Sequence, residues 1–183
     1  MLPKNKGYER IENDLYETPK WATEVILPFI PGRVQTIWEP ACGSGQMVEA
    51  FRKNGYLVRA TDKSTGDDFL AQPPSEHADA IITNPPYNIA GEFIRHALNV
   101  VKPGGFVATL MRFEFDAAMS RADLFAHNPY FALKVVMTNR IRWIEGSKGR
   151  PSIHHAWFIW DKTHTGAPSM RWHFKDSKTL SAG

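Results

Sequence analysis

Apolar positions along the chain recur at two alternating periods. Trp21, Ala22, Val25, Ile26 and Phe29 follow Thr18-Pro19 at helical spacing. Thr18 reads as the N-cap of that helix and Pro19 as its first residue, with Pro31-Gly32 as the stop. Residues 34–39 (VQTIWE) read as a buried strand running into a glycine-containing loop. A second helix places Met47, Val48 and Phe51 on one face, with Gly55 as its C-terminal cap. Short strands follow at 57–61 and 79–83. Phe93, Ile94, Ala97, Leu98 and Val101 then mark a third helix, and Lys102-Pro103-Gly104-Gly105 turns into a strand over 106–111.

Strand, turn and helix alternate in this way to about residue 125, the signature of an α/β fold with a mostly parallel sheet and helices on both faces. Beyond that point the texture is β-rich. Segments 131–137, 141–144 and 153–160 read as strands, the last two joined by the polar turn 145–151 into an antiparallel C-terminal hairpin. The expected organisation is a flexible N-terminal arm over 1–15, one catalytic-type domain over 16–162 with no separate recognition domain, and a polar tail over 163–183.

At 183 residues the chain has room for one domain with a sizeable core. A single cysteine excludes an internal disulfide and any C-x-x-C zinc framework, and no metal site is expected. Apolar runs all fall short of the roughly 20 residues that span a bilayer, and the polar N-terminus lacks a signal-peptide core; both point to a cytoplasmic protein. Charge is unevenly distributed. Residues 134–183 hold nine Lys/Arg against three Asp/Glu, a net of +6, while residues 1–133 carry a net of −3. A basic C-terminal third points to a polyanionic partner met from one side.

Three constellations carry chemistry. Glu39-Pro40-Ala41-Cys42-Gly43-Ser44-Gly45 lies between a strand and a helix, where ligands bind in open α/β sheets. It is neither a P-loop nor a G-x-G-x-x-G loop. Asp62 ends the next strand, 17 positions after Gly45, where an acid can accept from both hydroxyls of a ribose. Asn84-Pro85-Pro86-Tyr87 follows the strand 79–83. Its prolines stiffen the turn, its carbonyls and the Asn84 amide oxygen can accept from an amino group, and Tyr87 offers a face for a planar ring.

Together, Glu-Pro-Ala-Cys-Gly-Ser-Gly and Asn-Pro-Pro-Tyr resemble the S-adenosylmethionine-dependent methyltransferases that modify amino nitrogens. Within these, residues 15–162 are most similar to the DNA adenine methyltransferases of compact, phage-like type. The resemblance implies a Rossmann-like class I fold with a seven-stranded sheet, S-adenosylmethionine as cofactor and DNA as partner, with a monomer or homodimer as the active form. It assigns Thr18 and Pro19 to the methionine carboxylate, and Glu39, Ala41, Gly43 and Gly45 to the methionine- and ribose-side loop. Asp62 becomes the ribose acid. Asp68 and Phe69 would hold the cofactor's adenine, with Asp67 the alternative acid. Asn84, Pro85, Pro86 and Tyr87 form the catalytic motif, with Asn84 also beside the cofactor.

A second aromatic sandwiching the target base opposite Tyr87 is also implied. Trp143 is the first candidate and Phe113 or Phe115 the next, with core packing as the competing role. Lys148 and Arg150, in the glycine-containing turn, read as phosphate contacts or as a solvated tip. Cys42 reads as a small packing residue. His154-His155 lies in a strand, where alternation sends one ring inward without a third metal ligand. The implied reaction is direct methyl transfer to the exocyclic amino nitrogen of a flipped adenine. An RNA adenine or guanine amino methyltransferase and a non-catalytic nucleic-acid-binding subunit are the alternatives. Only 38 residues separate Gly45 from Asn84, too few for a recognition domain; base reading would then fall to the short hairpin, to a partner, or be weak.

Overall fold

A computed structural model describes residues 17–73, 78–143 and 150–174. The expected arm 1–15 and Lys148 lie outside the described residues. Seven strands form one mixed sheet: β1 (Thr36–Glu39), β2 (Leu57–Ala60), β3 (Ala80–Thr83), β4 (Phe106–Arg112), β5 (Phe131–Met137), β6 (His155–Asp161) and β7 (Ser169–His173). Their order is β2-β1-β3-β4-β6-β5-β7. Strands β2, β1, β3 and β4 pair in parallel, β6 runs antiparallel to both β4 and β5, and β7 pairs in parallel with β5. The chain leaves β1 for β2 on one side and returns to β3 on the other. That reversal opens a crevice at the carboxyl ends of β1 and β3.

Helices cover both faces. α1 (Lys20–Glu24) and α2 (Gln46–Lys53) lie on one face, where Ala22, Met47 and Phe51 pack with Ile37, Ile82 and Trp157. The Trp157 indole donates to the Ala22 carbonyl at 2.9 Å and ties α1 to the sheet. α3 (Ala90–Val100) covers the other face, with Phe93, Ile94 and Ala97 against Trp38, Ile81 and Phe158. Each buried large side chain of this kind contributes about 1.5–3 kcal/mol. No helix among the described residues is long and apolar enough to cross a membrane.

Three expectations change. The first helix begins at Lys20, with Pro19 in extended conformation (ψ 147°) as N-cap and no side-chain cap from Thr18, which is buried instead. The segment 141–143 is not a strand. Ile141 buries its side chain, but both edges of β6 are already paired, by β4 and β5, so no ladder is open to it. The antiparallel hairpin is therefore β5–β6, with a long connection between them. Residues 169–173 of the expected tail form β7. Met170 and Trp172 alternate there with Arg171 and His173 in a mostly exposed edge strand.

Candidate active site

Glu39–Gly45, Asp62 and Asn84–Tyr87 lie at or just beyond the carboxyl ends of β1, β2 and β3. Glu39, the last residue of β1, is 1% exposed. Its Oε1 accepts from the Thr83 hydroxyl at 2.6 Å and from the Ala41 amide at 3.2 Å, while Oε2 is buried with no hydrogen-bond partner. Burial pushes the Glu39 carboxyl up to about 8, against the smaller opposing effect of those two bonds. A buried acid left half-satisfied at a sheet's carboxyl end is costly, and such groups concentrate where ligands bind.

The glycine loop is shaped by backbone conformation. Gly43 (φ +50°) and Gly45 (φ +92°) occupy the left-handed region, and a Cβ on either would meet nothing within 4 Å. Space therefore lies over the loop, and strain is what demands glycine. Asp62 braces it: Oδ2 accepts from the Gly43 amide at 3.0 Å, and Oδ1 from the Ser64 amide and hydroxyl at 2.9 and 2.6 Å. Burial works to raise the pKa of this carboxyl, but the Ser64 and Gly43 bonds outweigh it and hold the group below its ordinary range. Thus Asp62 organises the loop as well as presenting a carboxylate beside it. Cys42 is partly buried, and burial raises its thiol pKa, which fits a packing residue better than a nucleophile. The Gln46 side chain donates to the Glu17 carboxylate, joining the segment before α1 to the start of α2. With only five residues, α1 adds little dipole to the expected carboxylate contact at Thr18 and Pro19.

Asp68 accepts from the Leu70 amide at 3.1 Å and pairs with Lys63 at 2.7 Å; the Lys63 bond keeps its carboxyl low. Phe69 is only 2% exposed. Its ring packs on Trp38 at 5.0 Å, Phe93 at 4.6 Å and His96 at 4.8 Å, so it is a core residue rather than an open face for adenine. Asp67 is exposed.

Asn84, Pro85, Pro86 and Tyr87 lead from β3 to α3 through a 3₁₀ turn over Tyr87–Ile89. Pro85 is buried, and Asn84, Pro86 and Tyr87 are half-buried. The Arg112 guanidinium lies 5.5 Å from the centre of the Tyr87 ring. The ring nearly parallel to Tyr87, at 6.3 Å and 29°, is His155, and Trp143 meets His155 edge-on at 5.1 Å. Tyr87 and Trp143 therefore both pack against His155, a residue given no role from the sequence. Its only sequence signal was an inward-facing polar ring at the start of an otherwise apolar strand.

Phe115 is a core residue against Phe125 and Phe158, and Phe113, 38% exposed, lies under the Lys134 ammonium at 4.0 Å. Arg150 is exposed. Nearby, Arg140 donates to His154 Nε2 at 2.9 Å and to the Pro151 carbonyl at 3.3 Å, drawing the two ends of the β5–β6 connection together. Among the described residues, no group of three His, Cys, Asp or Glu could hold a metal ion.

Known proteins share this architecture. A protein from Listeria monocytogenes assigned as a class I S-adenosylmethionine-dependent methyltransferase superposes with TM-score 0.67, covering 92% of this chain and 69% of that one at 12% identity. The fold is that of the class I methyltransferases. The methyltransferase subunit of a type I restriction-modification system from Streptococcus thermophilus superposes with TM-score 0.58 over 82% of this chain and 45% of that one, at 13% identity. In sequence, the Type II methyltransferase M.TthHB8I of Thermus thermophilus is 31% identical over 81 residues, covering 36% of this chain but 19% of that protein. This chain thus spans a small part of that relative's length. No family model matches the sequence.

Within this fold the donor set suits S-adenosylmethionine. Open space over Gly43 and Gly45, the Asp62 carboxylate and the unpartnered Oε2 of Glu39 fit a nucleoside with hydroxyl and amino donors.

Proposed function

We infer that the chain methylates the exocyclic amino nitrogen of adenine in DNA, using S-adenosylmethionine. The observation that carries this reading is the arrangement of Asn84-Pro85-Pro86-Tyr87 at the end of β3, one strand from the Glu39–Gly45 loop at the end of β1. A cofactor grip and an amino-group grip then share one crevice. The structural neighbours and the Type II methyltransferase support the methyltransferase part; the Asn-Pro-Pro-Tyr motif supports the amino group as acceptor. The basic C-terminal third supports a nucleic acid as partner.

The cofactor, when bound, supplies a methyl group already activated on a sulfonium centre. Glu39, Asp62 and the Gly43–Gly45 loop would hold it. The base must leave its pair to expose the amino group. Stacking on Tyr87 then contributes about 1–3 kcal/mol. The Asn84 amide oxygen and the Pro85 carbonyl accept the two amino N–H bonds and turn the nitrogen lone pair out of conjugation. Held by Asn84 and Pro85, the amino nitrogen would face the methyl group that the bound cofactor supplies, and its surplus proton would leave to water. No side-chain base is needed, because positioning and electrostatics account for the rate.

The test is incubation with labelled S-adenosylmethionine and methylation-free DNA, RNA or ribosomes, followed by identification of the modified nucleoside. N6-methyladenine in DNA is the expected product. Label confined to RNA would overturn the substrate, and cofactor binding without any transfer would favour a non-catalytic subunit.

A further inference from the structure

His155 has chemistry that the fold does not use. It opens β6 at the carboxyl edge of the sheet, paired opposite Arg112, the last residue of β4. Only 1% of it is exposed, and beyond a weak interaction with the Ile153 backbone neither ring nitrogen has a hydrogen-bond partner. Later residues on the same face of the strand, Trp157 and Ile159, are apolar and almost wholly buried, as a core position requires. A leucine at 155 would fill such a site without leaving a polar atom unsatisfied. Unsatisfied buried donors cost free energy and call for an explanation.

The surroundings supply one. His155 touches both Tyr87 and Trp143, the aromatics expected around a target base. Burial holds the imidazole pKa down to about 4, and Arg112 and His154 add to the effect, so the ring is uncharged at neutral pH. A neutral imidazole offers one donor and one acceptor. Adenine carries an acceptor nitrogen on each side of its amino group, N1 and N7.

We propose that the cluster of Tyr87, Trp143 and His155 forms a purine-edge subsite, in which the His155 N–H donates to a ring nitrogen beside the amino group of the target adenine. Tyr87 carries the face of the base, Asn84 and Pro85 its amino group, and His155 its edge. The bound base gives the imidazole a closer partner than the Ile153 backbone supplies. This assignment rests on the adenine-methylation reading above.

The experiment uses the full chain, labelled S-adenosylmethionine and oligonucleotides built around the adenine found methylated in the transfer assay. That adenine is replaced in turn by 1-deazaadenine and 7-deazaadenine, each lacking one acceptor nitrogen. One analogue should lower kcat/KM for the native chain roughly tenfold, as loss of one hydrogen bond to a buried partner does. In His155→Leu the same analogue should differ from adenine by less than about twofold, because the lost bond is already gone. His155→Gln, which keeps a donor, should restore part of the discrimination. Melting of each variant without substrate controls for folding, and His155→Leu should melt no lower than the native chain. An equal analogue penalty in native and His155→Leu chains, or no penalty in the native chain, would overturn the subsite while leaving adenine methylation intact. Failure of the native chain to methylate adenine at all would overturn both.

Discussion

The two ends of the sheet are built on opposite principles. At the amino end, Asp79 acts as a bolt. Its Oδ2 accepts from the Gln35 amide at 3.1 Å and from the Thr36 amide and hydroxyl at 2.8 Å each, and its Oδ1 pairs with Lys102 at 2.8 Å. The Lys102 pair and the Thr36 and Gln35 bonds together hold this carboxyl far below its ordinary range. At the carboxyl end, Glu39 and His155 are more deeply buried and keep polar atoms without partners. Asp79 has partners on both of its oxygens, whereas Glu39 leaves Oε2 without one. A braced end opposite one with open polar groups is the division expected of an open α/β sheet that binds a ligand at its carboxyl ends.

Substitutions at each end should separate these roles. The largest effect is expected from Asn84→Ala, which should lower methyl transfer by on the order of 10²–10³-fold with cofactor affinity nearly unchanged. Single-turnover transfer measured beside equilibrium cofactor binding checks this, and parallel losses in both would place Asn84 in the cofactor grip alone.

Next is Glu39, whose sign is opposite to that of Asp79. Its folded pKa of about 8 lies above its ordinary 4.5, so between those values the folded chain holds a proton that the unfolded chain releases. Stability should therefore fall as pH rises from 4.5 to 8, with a slope of at most about 1.4 kcal/mol per pH unit from this group. Glu39→Gln should flatten that slope and melt higher than the native chain at pH 8.5. Asp79→Asn should cost about 2 kcal/mol at neutral pH through loss of charge-assisted bonds. It should also remove the acid-side decline that begins as pH falls through 3.8, leaving cofactor affinity unchanged. Melting curves across pH for all three chains decide both claims.

The smallest effect is at the rim. Arg150→Ala should weaken DNA binding uniformly across sequences and reduce the salt slope by about 1. An unchanged slope would make this turn a solvated tip.

The parallel half of the sheet was legible because its signals are local. Apolar spacing marks α2 and α3, the paired glycines mark the loop, and Asp62 and Asn84 come within two residues of strand ends. Elements that depend on distant pairing were not. Ile141 has a strand's composition, but only the sheet order shows that β6 offers it no edge. β7 is exposed and short, so its alternation carries little of the burial that identifies a strand. Phe69 follows an acid as a cofactor-contacting aromatic might, yet the cluster of Trp38, Phe93 and His96 takes it into the core. His155 shows the converse. Alternation correctly turned one ring of the His154-His155 pair inward, but its nearness to Tyr87 comes from the β4–β6 register, which a linear reading does not contain.

The most direct measurement is calorimetric titration of S-adenosylmethionine into the native chain and into Gly45→Val. One-to-one binding to the native chain is expected, lost or weakened at least tenfold in Gly45→Val, because a branched side chain cannot hold φ +92° without strain and the loop would refold. Binding of equal strength to both chains, with Gly45→Val folded, or no binding to the native chain, would contradict a cofactor site at the carboxyl edge.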